Sequence, residues 1–258
     1  PIILFTLLVS ATLVVASGTM LARAADFIAA EPRLGGVWIG ASLLALATSL
    51  PEITTDISAV RMGALDLAAG DLFGSSMANM LILASITLVP AGTHLFRNAA
   101  LDHALYATLA ITLTCIAAVA ILVHSPVTVL GMGPGSILLL VTYIVGARAI
   151  FRHSAIARAA ASTIEMSQGP AGSEDGDQVS AIQPLIGRSL PRAILMFAGA
   201  AVVILIAAPP FARAAATLAE LTGLGTTFIG TLLVGMTTSL PELGTSFAAI
   251  RLRAYDLA

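Results

Sequence analysis

Long apolar stretches separated by short polar ones run through the chain, at Ile2–Leu21, Leu34–Val60, Leu67–Val89, Leu101–Val123, Val127–Ala147, Ala193–Ala208 and Leu224–Ile250. Each lies near the ~20 residues that carry a helix across hydrocarbon. Barrel strands would alternate in polarity over short segments, whereas continuous apolar runs need helices that satisfy their own backbone. The pattern therefore predicts an all-α polytopic membrane protein with seven spans. One polar segment stands apart, Phe151–Pro191, and its centre, Glu165–Asp177, is rich in Gly, Ser and acid. That composition reads as a mobile linker. The expected organisation is a first membrane repeat of about five spans over 1–150, a polar cytoplasmic linker over 151–191, and the start of a second repeat over 192–258.

Composition agrees with the pattern. The 258 residues are 58% hydrophobic and 10% charged, with a mean hydropathy of +0.98, against roughly 25% charged in soluble domains. A net charge of −2 leaves no electrostatic footprint for nucleic acid. All twelve basic residues are Arg, and an external N-terminus puts every one but Arg61 and Arg213 on the inner side. That bias predicts a cytoplasmic place for the polar segment and a cell membrane of bacterial type. The lone Cys115 can build neither a disulfide framework nor a cysteine metal site and reads as a small apolar residue. His94, His103, His124 and His153 lack metal-ligand spacing, while Trp38 and Tyr106 suit the membrane interface. No basic run precedes the first apolar stretch, so an intact secretory signal is not expected.

The informative feature is an internal repeat. Leu34–Ala68 aligns without gaps onto Leu224–Ala258 at a constant offset of 190, with roughly half the positions identical. Thr48-Ser49-Leu50-Pro51-Glu52 recurs as Thr238-Ser239-Leu240-Pro241-Glu242; Arg61 pairs with Arg251 and Asp66-Leu67-Ala68 with Asp256-Leu257-Ala258. Shared Leu and Ala can arise from composition, but a Pro-Glu inside two spans is expensive in lipid and marks function. The copies fall on the second and seventh spans, an odd separation, so they must cross in opposite directions. Inverted repeats with interrupted helices are how alternating-access transporters place ions near the midplane.

The chemistry follows from the residue types. Proline donates no backbone hydrogen bond and opposes a regular turn, so breaks are expected at Pro51 and Pro241, with carbonyls near Ala47 released as ligands. Glu52 and Glu242 add carboxylates, and Thr48, Ser49, Thr238 and Ser239 add hydroxyls. The result is a hard, oxygen-only environment of the kind calcium and sodium favour. Two carboxylates balance one divalent ion or two monovalent ones, which suits antiport. Further on, Gly70–Asn79 carries two glycines and several polar side chains. It reads as another broken helix, at Gly74, with Ser75 and Asn79 on one face as neutral oxygen donors.

These segments resemble the α-repeats of the calcium/cation antiporter superfamily, whose members include the sodium/calcium exchangers; the two motifs span 34–83 and 224–258. The resemblance implies a five-plus-five inverted-repeat fold and exchange of calcium for sodium by alternating access, with no catalytic residue and no cofactor. It makes Glu52 and Glu242 the central calcium ligands. It assigns Thr48, Ser49, Thr238, Ser239 and Ser75 to flanking sodium sites and sets Asn79 at the centre. Calcium and sodium, or protons, are then the transported partners, with membrane lipid around the protein.

The chain departs from that pattern where the family has Gly-Asn and Gly-Ser-Asn but Gly70-Asp71 and Gly74-Ser75-Ser76 stand here. Asp71 and Asp56, the latter one turn beyond Glu52 and replaced by Ser246 in the second copy, add ligands to the site or line a vestibule. Extra charge of this sort favours protons or other divalent ions, so a proton-coupled exchanger is the competing expectation. The partner of Gly70–Asn79 is missing from the second copy, which makes a fragment of a longer transporter the expectation. A reading from another class, an intramembrane aspartyl protease using Gly70-Asp71 and Tyr255-Asp256, has its motifs in the wrong order. A passive channel would need a filter repeated by oligomer symmetry rather than one inverted pair within a chain.

Overall fold

A computed structural model of the chain describes residues 1–29, 37–87, 101–123, 127–128, 131–168 and 189–251. Its elements are helices: α1 (Ile2–Ala29), α2 (Val37–Arg61), α3 (Leu65–Thr87), α4 (Leu101–Val123), α5 (Pro134–Gln168) and α6 (Leu190–Thr222). A segmented stretch follows, made of α7 (Thr226–Ile229), a π-helix (Gly230–Val234), α8 (Gly235–Thr238) and α9 (Leu240–Arg251). Among the described residues five helices are long and apolar enough to cross a membrane: α1, α3, α4, α5 and α6. The other two expected spans are α2, which carries Glu52, Asp56 and Arg61, and the stretch from Thr226, which is divided by the π-helix and by a turn at Ser239. The protein is a multi-pass integral membrane protein of all-α class.

The chain forms two compact units. The second, His94–Gly176, is the hairpin of α4 and α5, where Gly135 faces Ala120 and Gly146 faces Leu109. That register makes the two helices antiparallel. Leu122, Val123, Tyr143 and Val145 stand exposed on it, as lipid-facing apolar side chains do. The α5 helix continues past Arg152 to Gln168, so the first part of the polar segment is helical rather than coil. Residues 169–188 of that segment, His94, His124 and Asp256 lie outside the described residues.

The first unit, Pro1–Thr93 with Asp177–Ala258, holds both copies of the repeat. Here α1 packs chiefly along α6. Leu7 clusters with Phe211, Ala215 and Ala219, whereas Leu21 and Ala25 cluster with Ile204 and Ala200, so the two helices run antiparallel. Their burial obeys the same offset of 190 as the motif. Positions 10, 14, 17, 18, 21, 22, 24 and 25 are buried, and so are 200, 204, 207, 208, 211, 212, 214 and 215. Arg23 and Arg213 are exposed equivalents. The repeat thus includes the helix before each Pro-Glu motif, and the two first helices form its central seam. Alanine dominates that seam, because helices in lipid associate through close backbone packing rather than through water exclusion.

A turn of three residues joins α2 to α3. Gly63, at φ 77°, takes the left-handed conformation that favours glycine. The Ala64 N–H reaches the Ala59 carbonyl at 2.9 Å and the Gly63 N–H reaches Val60 at 3.0 Å, the pair of bonds of a Schellman cap. The cap stops α2 sharply and lets α3 fold back against it.

Candidate functional site

The site is built where α2, α3 and the segmented stretch meet. Pro51 lies inside α2, which stays helical through it. The expected break at Pro51 is therefore not a gap in the helix: the proline removes one N–H from the ladder, the one that would serve Ala47, and the neighbouring turns hold. The second copy does break, at Ser239 (φ −86°, ψ 2°), and Pro241 falls in the first turn of α9, where its missing N–H leaves no helical bond unmade. Both proline rings sit against Gly18 of α1. A Cβ on Gly18 would stand 2.6 Å from Cγ of Pro241 and 3.3 Å from Cγ of Pro51. The repeat motif alone gives no sign of Gly18; extending the offset of 190 back to the small pair Gly18 and Ala208 would have flagged it.

The expected break at Gly74 is also absent, since α3 is continuous from Leu65 to Thr87. Its glycines instead permit contact between backbones. A Cβ on Gly70 would lie 2.5 Å from the Thr227 carbonyl oxygen and 3.0 Å from Cα of Gly230, and one on Gly74 would lie 2.7 Å from Cα of Thr231. From the other side, a Cβ on Gly235 would be 2.7 Å from the Ser75 nitrogen. Moving forward along α3 moves forward along the stretch from Thr226, so the two run parallel. Because α2 folds back on α3, the two Pro-Glu segments run in opposite directions, as the odd separation of spans requires.

This packing brings side chains of both copies together. Ser239, 1% exposed, donates to Oε1 of Glu52 at 3.5 Å across the two copies. Thr238, fully buried, reaches Oδ1 of Asp71 at 3.1 Å, and Ser75 reaches the same oxygen at 3.3 Å and Thr238 Oγ1 at 3.4 Å. Asp71 is 1% exposed. Glu242, Asp71 and Asp56 all lie near enough to act on the charge of Glu52. Glu52, Glu242 and Asp56 are half-buried, and no N–H or O–H among the described residues reaches Glu52 Oε2, Asp56 Oδ1 or Asp71 Oδ2.

The remaining expected ligands sit apart from this cluster. Thr48 is half-buried and donates to the Ala45 carbonyl of its own helix at 3.2 Å, while Ser49 and Asn79 are exposed. α3 packs on the stretch that carries Thr238 and Ser239. At the same offset, the counterpart of α3 would begin at position 255, outside the described residues. No three acid, histidine or cysteine side chains among the described residues form a preformed metal cluster. What the geometry brings together is Glu52 of one copy with Ser239 of the other, and Asp71 with Ser75 and Thr238, through side-chain oxygens alone.

The chain matches the family model described as "Sodium/calcium exchanger protein" over residues 2–162 and 192–258. It is similar to sodium/calcium exchanger MaX1 of Methanosarcina acetivorans, at 30% identity over 84 residues, 33% of this chain and 24% of that relative. The matched stretch thus spans about a quarter of the relative's length. No solved structure matches the chain significantly. By the extent of the family match, the chain belongs to the sodium/calcium exchanger protein family.

Proposed function

We propose that this chain carries the ion-binding centre of a secondary transporter that exchanges calcium for sodium by alternating access. Glu52 and Glu242 hold the calcium ion in this reading, and the hydroxyls of Thr48, Ser49, Thr238, Ser239 and Ser75 serve flanking sodium ions. The observation that carries it is the hydrogen bond from Ser239 of one copy to Glu52 of the other, which makes the ion environment a joint product of two inverted elements. The name of the Methanosarcina relative supports the choice of ions.

Calcium and sodium compete for the same carboxylates, and that competition is the coupling. Occupancy by either ion offsets the negative charge and permits the switch between outward-facing and inward-facing states; an empty site with its carboxylates facing one another resists closure. Pro51 contributes through the buried Ala47, whose carbonyl has no N–H from the proline to accept. A second reading is favoured by the extra acids. Asp56 and Asp71 place two carboxyls inside the spans beyond Glu52 and Glu242, and acid in excess of what one calcium ion needs suits a proton-coupled exchanger.

The experiment is calcium uptake into proteoliposomes containing the full-length protein, driven separately by a sodium gradient and by a proton gradient, with Glu52→Gln and Glu242→Gln alongside. Sodium-driven uptake that disappears in both variants supports the first reading. Uptake driven by protons alone moves the protein to the second, and flux indifferent to both variants sinks the site.

A further inference from the structure

We propose that Asp71 is a positioning residue: it accepts the hydrogen bonds of the Thr238 and Ser75 hydroxyls so that both oxygens present lone pairs to sodium. The inference rests on the sodium-binding role proposed for those hydroxyls and adds a residue to it. Asp71 is a point of departure from the family's usual Gly-Asn, so its part is not supplied by the resemblance.

A hydroxyl can offer a lone pair to a cation only if its single proton points elsewhere. For Thr238 three acceptors lie within reach: Asp71 Oδ1 at 3.1 Å, the Val234 carbonyl at 3.1 Å and the Gly235 carbonyl at 3.2 Å. Ser75 has Asp71 Oδ1 at 3.3 Å and Thr238 Oγ1 at 3.4 Å. Of these acceptors Asp71 Oδ1 is the one within reach of both hydroxyls, so a single oxygen can align both O–H groups. If Thr238 gave its proton to a backbone carbonyl, Ser75 would lose its alignment with the same acceptor.

Asp71 is held firmly enough for this task. Its Oδ1 is engaged by both hydroxyls. The residue is 1% exposed, so water does not compete. Gly70 and Gly74 flank it and fix α3 at backbone distance from Thr227 and Thr231, leaving the carboxylate little room to withdraw.

The test measures calcium flux in proteoliposomes of the full-length protein against sodium concentration, for wild type, Asp71→Ala and Asp71→Asn. Asn keeps a side-chain oxygen acceptor without the charge; Ala removes both. Asp71→Ala is expected to raise the half-saturating sodium concentration about tenfold, the scale of lost hydrogen bonds to a charged group. Its maximal rate at saturating sodium should stay within about twofold, a split that general misfolding does not produce. Asp71→Asn should recover to within about threefold of wild type. An unchanged sodium dependence in Asp71→Ala overturns the inference, and so does an Asn variant as impaired as the Ala one, which would make Asp71 a charge or a ligand in its own right. Should the Ala variant fail to fold, sodium binding to the Asn variant by calorimetry decides by the same threefold criterion. Wild type without sodium-dependent flux overturns the proposed function and this inference together, whereas a normal wild type with an indifferent Asp71→Ala overturns the inference alone.

Discussion

Gly18 and Pro241 meet with no room for a methyl group between them: a Cβ on Gly18 would stand 2.6 Å from the proline's Cγ. Pro51 approaches the same glycine from the other copy, at 3.3 Å. One residue of the central seam therefore sets how closely both Pro-Glu segments can approach α1. A proline ring is rigid and cannot swing aside as a long side chain would, so the conflict must be relieved by moving backbone.

Gly18→Ala is accordingly expected to destabilise the protein by about 1–3 kcal/mol, the usual scale of overpacking. For a chain of this size that is a fall in unfolding temperature of roughly 3–10 °C, read by thermal unfolding in detergent. Exchange should fall with it, because the displaced prolines carry Glu52 and Glu242 with them. An unaltered melting temperature would show that the seam can open.

The glycines of α3 separate into a tight pair and looser ones elsewhere. Gly74→Ala puts a methyl onto the Thr231 backbone, and Gly70→Ala puts one onto Thr227; each should lower the unfolding temperature at least as much as Gly18→Ala. Gly199→Ala and Gly244→Ala meet nothing within 4 Å and should stay within about 3 °C of wild type. Equal effects in the two groups would sink the backbone-contact reading of α3.

Ser239→Ala removes the hydroxyl that reaches Glu52 across the two copies. The bond is long, at 3.5 Å, so its loss should cost about 1 kcal/mol and weaken apparent calcium affinity about fivefold. Glu52→Gln, which removes a charge from the centre, should abolish calcium-coupled flux. A Ser239→Ala variant as dead as Glu52→Gln would mean that the hydroxyl, not the carboxylate, is the principal ligand.

Thr238→Val removes a buried donor from Asp71, whose Oδ1 then keeps Ser75, and should cost roughly 1–3 kcal/mol of stability. The melting temperature of the variant against wild type in one detergent checks it, and an unchanged value would show that the hydroxyl contributes nothing to the fold.

Much of this was written in the chain. Apolar runs near the length of a bilayer can be little but helices, because lipid offers no partner to a bare peptide group. An offset of 190 between two Pro-Glu motifs identified equivalent positions, and their odd separation gave their opposed directions before any packing was known. Carboxylates and hydroxyls grouped inside spans pointed to a hard cation, since the cost of burying them in hydrocarbon needs a reason.

The tertiary structure decided the rest, and in each case the reason is that packing partners are not a property of local sequence. A glycine in an apolar run has the same local signature whether it breaks a helix or admits a neighbour's backbone; Gly74 was expected to break α3 and instead seats Thr231. The Pro-Glu motif does not say what packs on its hydroxyls; Thr238 and Ser239 are buried, with α3 against their stretch. Asp71 could have faced a vestibule or the site, and only the parallel docking of α3 on the stretch from Thr226 turns it toward Thr238. Repetition along the chain establishes which residues are equivalent; which of them touch is set by the close fit of helices in three dimensions.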